Sequence, residues 1–260
     1  MTKKRIFTIS FIVAVLILVG IITAASHSGT HPKVVQINTA PAHIKTPAQS
    51  QQATFNKEQF SLTNPNSIWV VVNKHNPLQP KDYAPTDLVV PSIPLRTSAS
   101  NGEMHLRKAA ATALENMSAD AKAQGVHFML ASGYRSYSLQ VSVYGSEVKS
   151  YGQGKADTES ARPGYSEHQT GLAMDLEDAN RTCEVTDCFA NLPEGKWLAA
   201  NAYSYGFIIR YVPSKVAVTG YRYEPWHIRY IGTDLSTQMH KDNVLTLEEF
   251  FSLPAASSYQ

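Results

Sequence analysis

Hydrophobic and polar positions fall into three regimes along the chain. The first is an uncharged apolar run from Ile6 to Ala25, preceded by Lys3, Lys4 and Arg5. At a rise of about 1.5 Å per residue such a helix can cross a hydrocarbon core of roughly 30 Å, and the preceding positive charges hold its N-terminus in the cytoplasm. A secretory signal core is usually only about 7–15 residues long. The run therefore predicts a retained membrane anchor over residues 1–25 rather than a cleaved signal, although Thr23-Ala24-Ala25 offers small residues to a peptidase. No cysteine lies beside it, so lipid modification is not supported. The second regime, residues 26–57, mixes Gln, Thr, Ala, Pro, Ser and His with few large apolar side chains. Such a stretch cannot bury enough surface to offset the entropy of ordering, and it predicts a disordered extracytoplasmic tether in which His27, His31 and His43 are solvated.

The third regime, residues 58–260, has the pattern of one domain of about 200 residues, enough for a sizeable core. Ile68 to Val72 reads as a short strand of β-branched and aromatic residues, and the prolines at 77, 80 and 85 make the next segment an extended wrap. Glu103 to Gln124 carries Leu106, Ala110, Ala113, Leu114 and Met117 on one face and stops at Gly125, which predicts a helix. Val126 to Ala131 predicts a strand, Ser138 to Tyr151 a second amphipathic helix, and Gly152 to Gly164 a polar loop. Ala173 to Leu176, Phe207 to Tyr211 and Trp226 to Ile231 read as strands. Trp197 to Tyr205 reads as a helix closing at Gly206, and Leu247 to Phe251 as a short final one. Helices and strands are segregated more than alternated, so the expected class is α+β with a central antiparallel sheet and flanking helices.

Charge narrows the range of partners. The formal charge of +2 falls to −1 once the three charges of Lys3, Lys4 and Arg5 are set aside, so no basic surface is implied and nucleic acid is not an expected partner. The two cysteines, Cys183 and Cys188, fall on the exported side in a loop made acidic by Glu184 and Asp187. A C-x4-C pair there suits a small disulfide better than a metal clip, since two thiolates cannot complete a zinc site; a pair of free thiols is the alternative.

Candidate chemistry concentrates in two stretches, Ser166 to Asp175 and Glu224 to His227. Two neutral imidazoles, His168 and His227, and one carboxylate, Asp175, make three protein ligands for a zinc ion that keeps its fourth position for water. Gly171 and Ala173 let the chain turn from loop to strand between the first two ligands, and Pro225 marks a bend that brings Glu224 and His227 to one side. Such a zinc site lowers the pKa of bound water to roughly 7, giving a hydroxide nucleophile, and polarises a carbonyl. Glu224, outside the ligand set, is the candidate general base; the plainer reading is a carboxylate that only orients a ligand. Arg135, on a Gly-flanked turn after a strand, offers a planar fork to an oxyanion or a terminal carboxylate, against the plainer reading of a surface arginine. His75, His105, His127 and His240 have no partner at metal spacing and read as structural or solvated. Trp69, Trp197 and Trp226 read as core, and Glu167 as pointing away from its ligand neighbour in an extended chain.

The pattern S-x-H-x6-D followed by E-x-W-H resembles the zinc D-alanyl-D-alanine carboxypeptidases of the VanY type. The likeness extends to Asn73-Lys74 with Asp82-Tyr83, Ser132-Gly133-Tyr134-Arg135-Ser136 with Gln140, Gly206 to Tyr211, and Leu247-Glu248-Glu249, all in the same order. That type belongs to a wider group with VanX-like dipeptidases, lysostaphin-type endopeptidases and the hedgehog signalling domain. The resemblance runs from about Trp69 to Leu253 and implies that group's zinc peptidase fold. It also implies that Arg135, Gln140 and Ser166 line the substrate pocket, with Tyr211 adding to the same wall. The function it implies is an outward-facing, membrane-anchored enzyme with one Zn²⁺ that removes the C-terminal D-alanine from peptidoglycan stem peptides. In that chemistry Zn²⁺ and Arg135 steady the oxyanion and Glu224 shuttles the proton. Two alternatives stand beside it. One is an L,D-carboxypeptidase acting on tetrapeptide stems, which would share these motifs. The other is a non-catalytic wall-binding module that keeps its metal for structure; Glu224 speaks against it, because a purely structural site more often closes its fourth position with a protein ligand.

Overall fold

The computed structural model describes residues 55–260. The expected anchor and most of the expected tether lie outside the described residues. Among the described residues no helix is long and apolar enough to cross a membrane. Phe55 stacks on Trp69 with ring centroids 5.7 Å apart, and Lys57 donates to the Phe250 carbonyl, so these residues, expected in the tether, already belong to the domain.

In chain order, a short ribbon pairs β1 (Leu88–Val89) with β2 (Leu106–Arg107), and α1 (Lys108–Ala123) follows directly. Next come β3 (Phe128–Ser132), the helical pair α2 (Tyr137–Tyr151) and α3 (Gln153–Glu159), β4 (Ala173–Asp178), α4 (Pro193–Asn201) and β5 (Phe207–Tyr211). The chain ends with α5 (Val216–Thr219), β6 (Glu224–Tyr230), α6 (Thr233–Lys241) and α7 (Leu247–Phe250). The main sheet has the order β3-β4-β6-β5 with every neighbouring pair antiparallel, which is the α+β arrangement expected. Its two central strands, β4 and β6, are buried almost throughout and carry the site.

Two cores flank these strands. Ala110, Leu114 and Met117 of α1 meet Phe128, Leu130, Met174, Leu176 and Ile228 from the sheet, with Trp197 and Leu198 of α4. Complete burial of side chains such as Leu114 and Leu176 contributes about 1.5–3 kcal/mol each. A second cluster joins Trp69 and Val71 to Leu235 and Met239 of α6 and Leu247 and Phe250 of α7.

Three local expectations are corrected, and one helix is added. The helix expected from Glu103 begins only at Lys108. Gly133 crosses residues 103–105 so closely that a Cβ there would lie 2.5 Å from His105 O, and the Gly133 and Tyr134 amides donate to Glu103 O and His105 O. Those carbonyls are therefore committed across the chain before α1 can use them. The segment 152–164 is not all loop: Gly152 (φ +81) breaks α2, and α3 starts at once with Ala156 buried. Helix α6 is an addition to the expected elements, and Leu235 and Met239 give it a buried stripe.

Ile68 to Val72, expected as a strand, pairs with none. Trp69 to Val72 are buried, but a side chain does the work of a neighbouring strand. Arg229 Nη2 donates to Ile68 O (3.2 Å) and Val70 O (2.8 Å), and Trp69 Nε1 donates to Ile231 O (2.8 Å). The same guanidinium donates through Nη1 to Glu167 Oε1 (2.9 Å). Removing it strands a buried acid and two carbonyls together. Arg229→Leu is expected to lose about 3–5 kcal/mol of stability, read from the urea midpoint; a loss under about 1 kcal/mol would show the network to be dispensable.

Candidate metal centre and catalytic cavity

His168 and Asp175 are brought together by a turn and a strand. A 3-10 turn over Glu167–Thr170 ends at Gly171, whose φ of +66 is the left-handed conformation that glycine adopts without strain. Leu172 then leads into β4, where Asp175 sits opposite His227 of β6 in the ladder. Pro225 makes the expected bend: the β5–β6 register passes from Ile209 opposite Ile228 to Tyr211 opposite Glu224, two extra residues on β6. Glu224 Oε2 is thereby brought to 3.6 Å from His227 Nδ1.

The three side chains converge. Their donor atoms lie within 4.8 Å of one another, and all three residues are buried. His168 Nδ1 is 2.8 Å from Gly133 O, which fixes the proton on Nδ1 and leaves the Nε2 lone pair facing Asp175 Oδ2 at 3.4 Å. His227 Nδ1 is 3.2 Å from Asp175 Oδ1, and the two imidazoles stand edge to face at 88°. Ser132 Oγ donates to Asp175 Oδ2 at 2.6 Å and holds the carboxylate from behind.

This donor set fits a divalent metal ion. Asp175 Oδ1 is buried with no hydrogen-bond partner even though His227 Nδ1 lies 3.2 Å away, so the two atoms are close but not aimed at each other. Atoms sharing a third partner adopt that arrangement. Two imidazole nitrogens and one carboxylate oxygen are also the donor types of a three-ligand zinc site.

Charge supports the fit. Burial pushes His168 down, toward the neutral form a ligand needs. Burial pushes His227 the same way, but Asp175, Glu167 and Glu224 around it prevail and raise it to about 9. Three carboxylates therefore select for positive charge at this point. Burial works to raise Asp175, yet His168 and His227 hold it well below the usual carboxylate range. Glu224 goes the other way: burial pushes it up to about 7, with Asp175 adding to the effect against the pull of His227.

The expected substrate-binding residues surround the triad. Arg135 lies on the turn after β3, and its guanidinium donates to Glu103 Oε1 (3.3 Å), Gln140 Oε1 (3.2 Å) and Ser132 Oγ (3.4 Å). It lines a cavity of about 560 Å³ together with Ser166, Tyr211, Glu224 and the triad. The Tyr211 ring lies tilted against the His227 ring with centroids 5.0 Å apart. Gln140 is placed differently from expectation: it is fully buried beneath Arg135, donating to Ser160 Oγ and Ala161 O, and is not on the cavity wall. Trp226 belongs to the core and lines the cavity as well. Cys183 and Cys188 are joined in a disulfide, and Val185 between them contributes to the cavity mouth.

The family model for VanY, D-alanyl-D-alanine carboxypeptidase, matches residues 103–233, which hold the triad, Glu224 and Arg135. YodJ of Bacillus subtilis (strain 168) is 44% identical over 191 residues, 74% of this chain and 69% of that protein. The chain belongs to the VanY family. Among solved structures, the LdcB LD-carboxypeptidase matches with a TM-score of 0.68 and 44% identity over 72% of this chain and 87% of that one. The vancomycin-resistance D,D-pentapeptidase VanY from a VanB-type cassette, studied as a mutant in complex with Zn(II), matches with a TM-score of 0.58 and 31% identity over 70% and 97%. Membership makes this chain a carboxypeptidase with the α+β fold of the VanY and LdcB enzymes, and D-alanyl-D-alanine carboxypeptidase is the activity of its family.

A second residue of this VanY-family site departs from expectation. Glu167 does not point away from the metal centre. It is buried between Arg210 Nε and Arg229 Nη1, both 2.9 Å from Oε1, and turns Oε2 toward His227 Nε2 at 3.6 Å, a charge contact longer than a hydrogen bond. Burial favours its neutral form, but the two guanidiniums keep it far below the usual range. The signal in the sequence is an arginine inside each of two apolar strands, Arg210 and Arg229, which calls for a buried acid. A carboxylate on the outer nitrogen of a ligating histidine orients the ring and raises its basicity. Glu167→Gln is expected to weaken Zn²⁺ binding about 10–100-fold in chelator competition; unchanged affinity would remove Glu167 from that role.

Proposed function

We propose that this chain is a zinc-dependent carboxypeptidase that removes the C-terminal D-alanine from peptidoglycan stem peptides. The observation that carries this reading is the meeting of His168, Asp175 and His227 with an uncoordinated acid, Glu224, in one cavity that also holds Arg135. Zn²⁺ held by His168, Asp175 and His227 supplies a Lewis acid that acidifies water and polarises the scissile carbonyl.

The chain's own residues account for the rest. Arg135, with its guanidinium braced by Glu103, Gln140 and Ser132, presents a fixed fork to the substrate's terminal carboxylate. As the water oxygen bonds to the carbonyl carbon, Glu224 takes its proton. When the C–N bond breaks, Glu224 delivers that proton to the leaving amine, and free D-alanine departs. A carboxyl lifted toward neutrality by burial can both accept and return a proton near pH 7.

A second reading, L,D-carboxypeptidase action on tetrapeptide stems, is favoured by the higher identity and TM-score to LdcB than to the D,D-pentapeptidase. A non-catalytic wall-binding role is disfavoured by Glu224, which a structural site would not need. The apolar run from Ile6 to Ala25 supports placement of the domain on the outer face of the membrane, where the polymer lies.

Incubating the protein with pentapeptide and tetrapeptide stems, with and without a chelator, and weighing the products separates these readings. Loss of one D-alanine from the pentapeptide alone, abolished by the chelator, is the expected outcome. Cleavage of the tetrapeptide alone would select the L,D reading, and no cleavage of either the binding module. Glu224→Gln should keep its metal and lose about 10²–10⁴-fold in kcat, whereas unchanged hydrolysis would take Glu224 out of the mechanism. His168→Ala should lose metal and turnover together; a fully metallated variant would contradict the ligand assignment.

A further inference from the structure

The two walls of the cavity come from distant parts of the chain. One is made by Glu159 at the end of α3 with Ser160, Ala161 and Ser166, backed by Arg162, and the other is formed by Tyr211, Tyr221 and Arg222 on the β5–β6 side. Each wall ends on a different part of the machinery. From Arg162 the path runs through Ala161 O, which accepts from Gln140 Nε2 (2.7 Å), to Gln140 Oε1, which accepts from Arg135 (3.2 Å). From Tyr221 it runs through ring contacts to Tyr211 (4.8 Å) and on to His227 (5.0 Å).

Tyr259 touches both. Its hydroxyl accepts from the Arg162 amide at 2.7 Å and lies 3.1 Å from the Tyr221 hydroxyl. The Arg162 guanidinium covers its ring at 4.1 Å, and Tyr165 meets it edge-on at 5.2 Å. Lys74 adds a cation 4.5 Å from the Tyr221 ring and 5.5 Å from that of Tyr259, while its ammonium donates to Gly220 O. The segment bearing Tyr259 is itself seated. Ala256 N donates to Val218 O (2.7 Å), and a Cβ at Gly220 would meet Ser257 O at 2.6 Å, so a side chain there would push the segment off.

We propose that Tyr259 is a positioning residue that clasps the two walls, fixing the width of the cleft between the side that carries the carboxylate-binding Arg135 and the facing Tyr211–Tyr221 side. It touches neither substrate nor metal. Its hydroxyl is bonded to both walls at once, on one side to a backbone amide and on the other to a buried phenol. The inference rests on the assignment of Arg135 to the substrate carboxylate. A clasp of this kind acts on peptide binding, because the triad and Glu224 are set independently by the β4–β6 ladder and the Pro225 bend.

Tyr259→Phe keeps the ring and removes the hydroxyl. Expected is a rise in KM for the stem peptide of about two- to tenfold, the scale of one or two neutral hydrogen bonds, with kcat and zinc content within error of the parent and a lowered melting temperature as the intramolecular bonds are lost. An unchanged KM overturns the proposal, whether or not the melting temperature falls, since a purely structural tyrosine would move stability alone. Arg135→Ala measured alongside separates the two claims. A KM rise there with none in Tyr259→Phe defeats the clasp and leaves the anchor. No KM rise in Arg135→Ala removes the anchor, and the clasp with it.

Discussion

The charge contact between Glu167 and His227 is the constraint that the rest of the structure serves. Glu167 is completely buried, and an ionised carboxylate in that position is costly unless opposed by positive charge and hydrogen bonds. Arg210 and Arg229 supply both. Arg210 is in turn held by Glu248 in a two-pronged pair at 2.9 and 2.7 Å, and Glu248 is held by Asn73 at 2.9 Å. Arg229 also donates through Nη2 to the carbonyls of Ile68 and Val70 and through Nε to that of Tyr230. One acid beside one histidine therefore fixes the segment from Ile68 to Asn73, the final helix and the paired strands β5 and β6 relative to the site.

The same network decides which parts of the fold are legible in the sequence. The strands at Phe207–Tyr211 and around Asp175 and His227 can be read because their apolar runs are dense and their ends are marked by Gly206, Gly171 and Pro225. Ile68 to Val72 has the same composition but no strand partner, because its carbonyls go to a side chain contributed some 160 residues later. Nothing local announces that. The late start of α1 has the same origin: the first turn that its composition allows is displaced by hydrogen bonds from Gly133 and Tyr134, a contact between segments and not a propensity.

The site divides along the same line. His168, Asp175, His227 and Glu224 stand in two short motifs whose donor types suit one ion and whose order, with the other matching blocks, carries the family resemblance. Glu167 escapes such a reading because neighbours in an extended chain point oppositely. In the 3-10 turn actually formed, successive side chains diverge by only about 120°, so Glu167 and His168 can both approach His227. The family resemblance implies a wall position for Gln140, whereas its amide serves both as the rest for Arg135 and as the tie to Ala161.

Charge in the centre follows from this arrangement. Glu167 and Glu248 are matched by Arg210 and Arg229, so the network brings a carboxylate to His227 while adding no net charge to the site. What remains at the point of convergence is Asp175 and Glu224. Their environments drive them apart: Asp175 lies between two imidazoles and is held ionised, while Glu224, buried beside Trp226 with Asp175 nearby, is lifted toward neutrality. Two carboxyl groups with opposed shifts in one cavity divide the labour, one suited to holding a cation and the other to moving a proton. Exchanging the two positions would fail on both counts, since a carboxyl that readily protonates is a poor ligand and one held strongly ionised is a poor base near neutral pH.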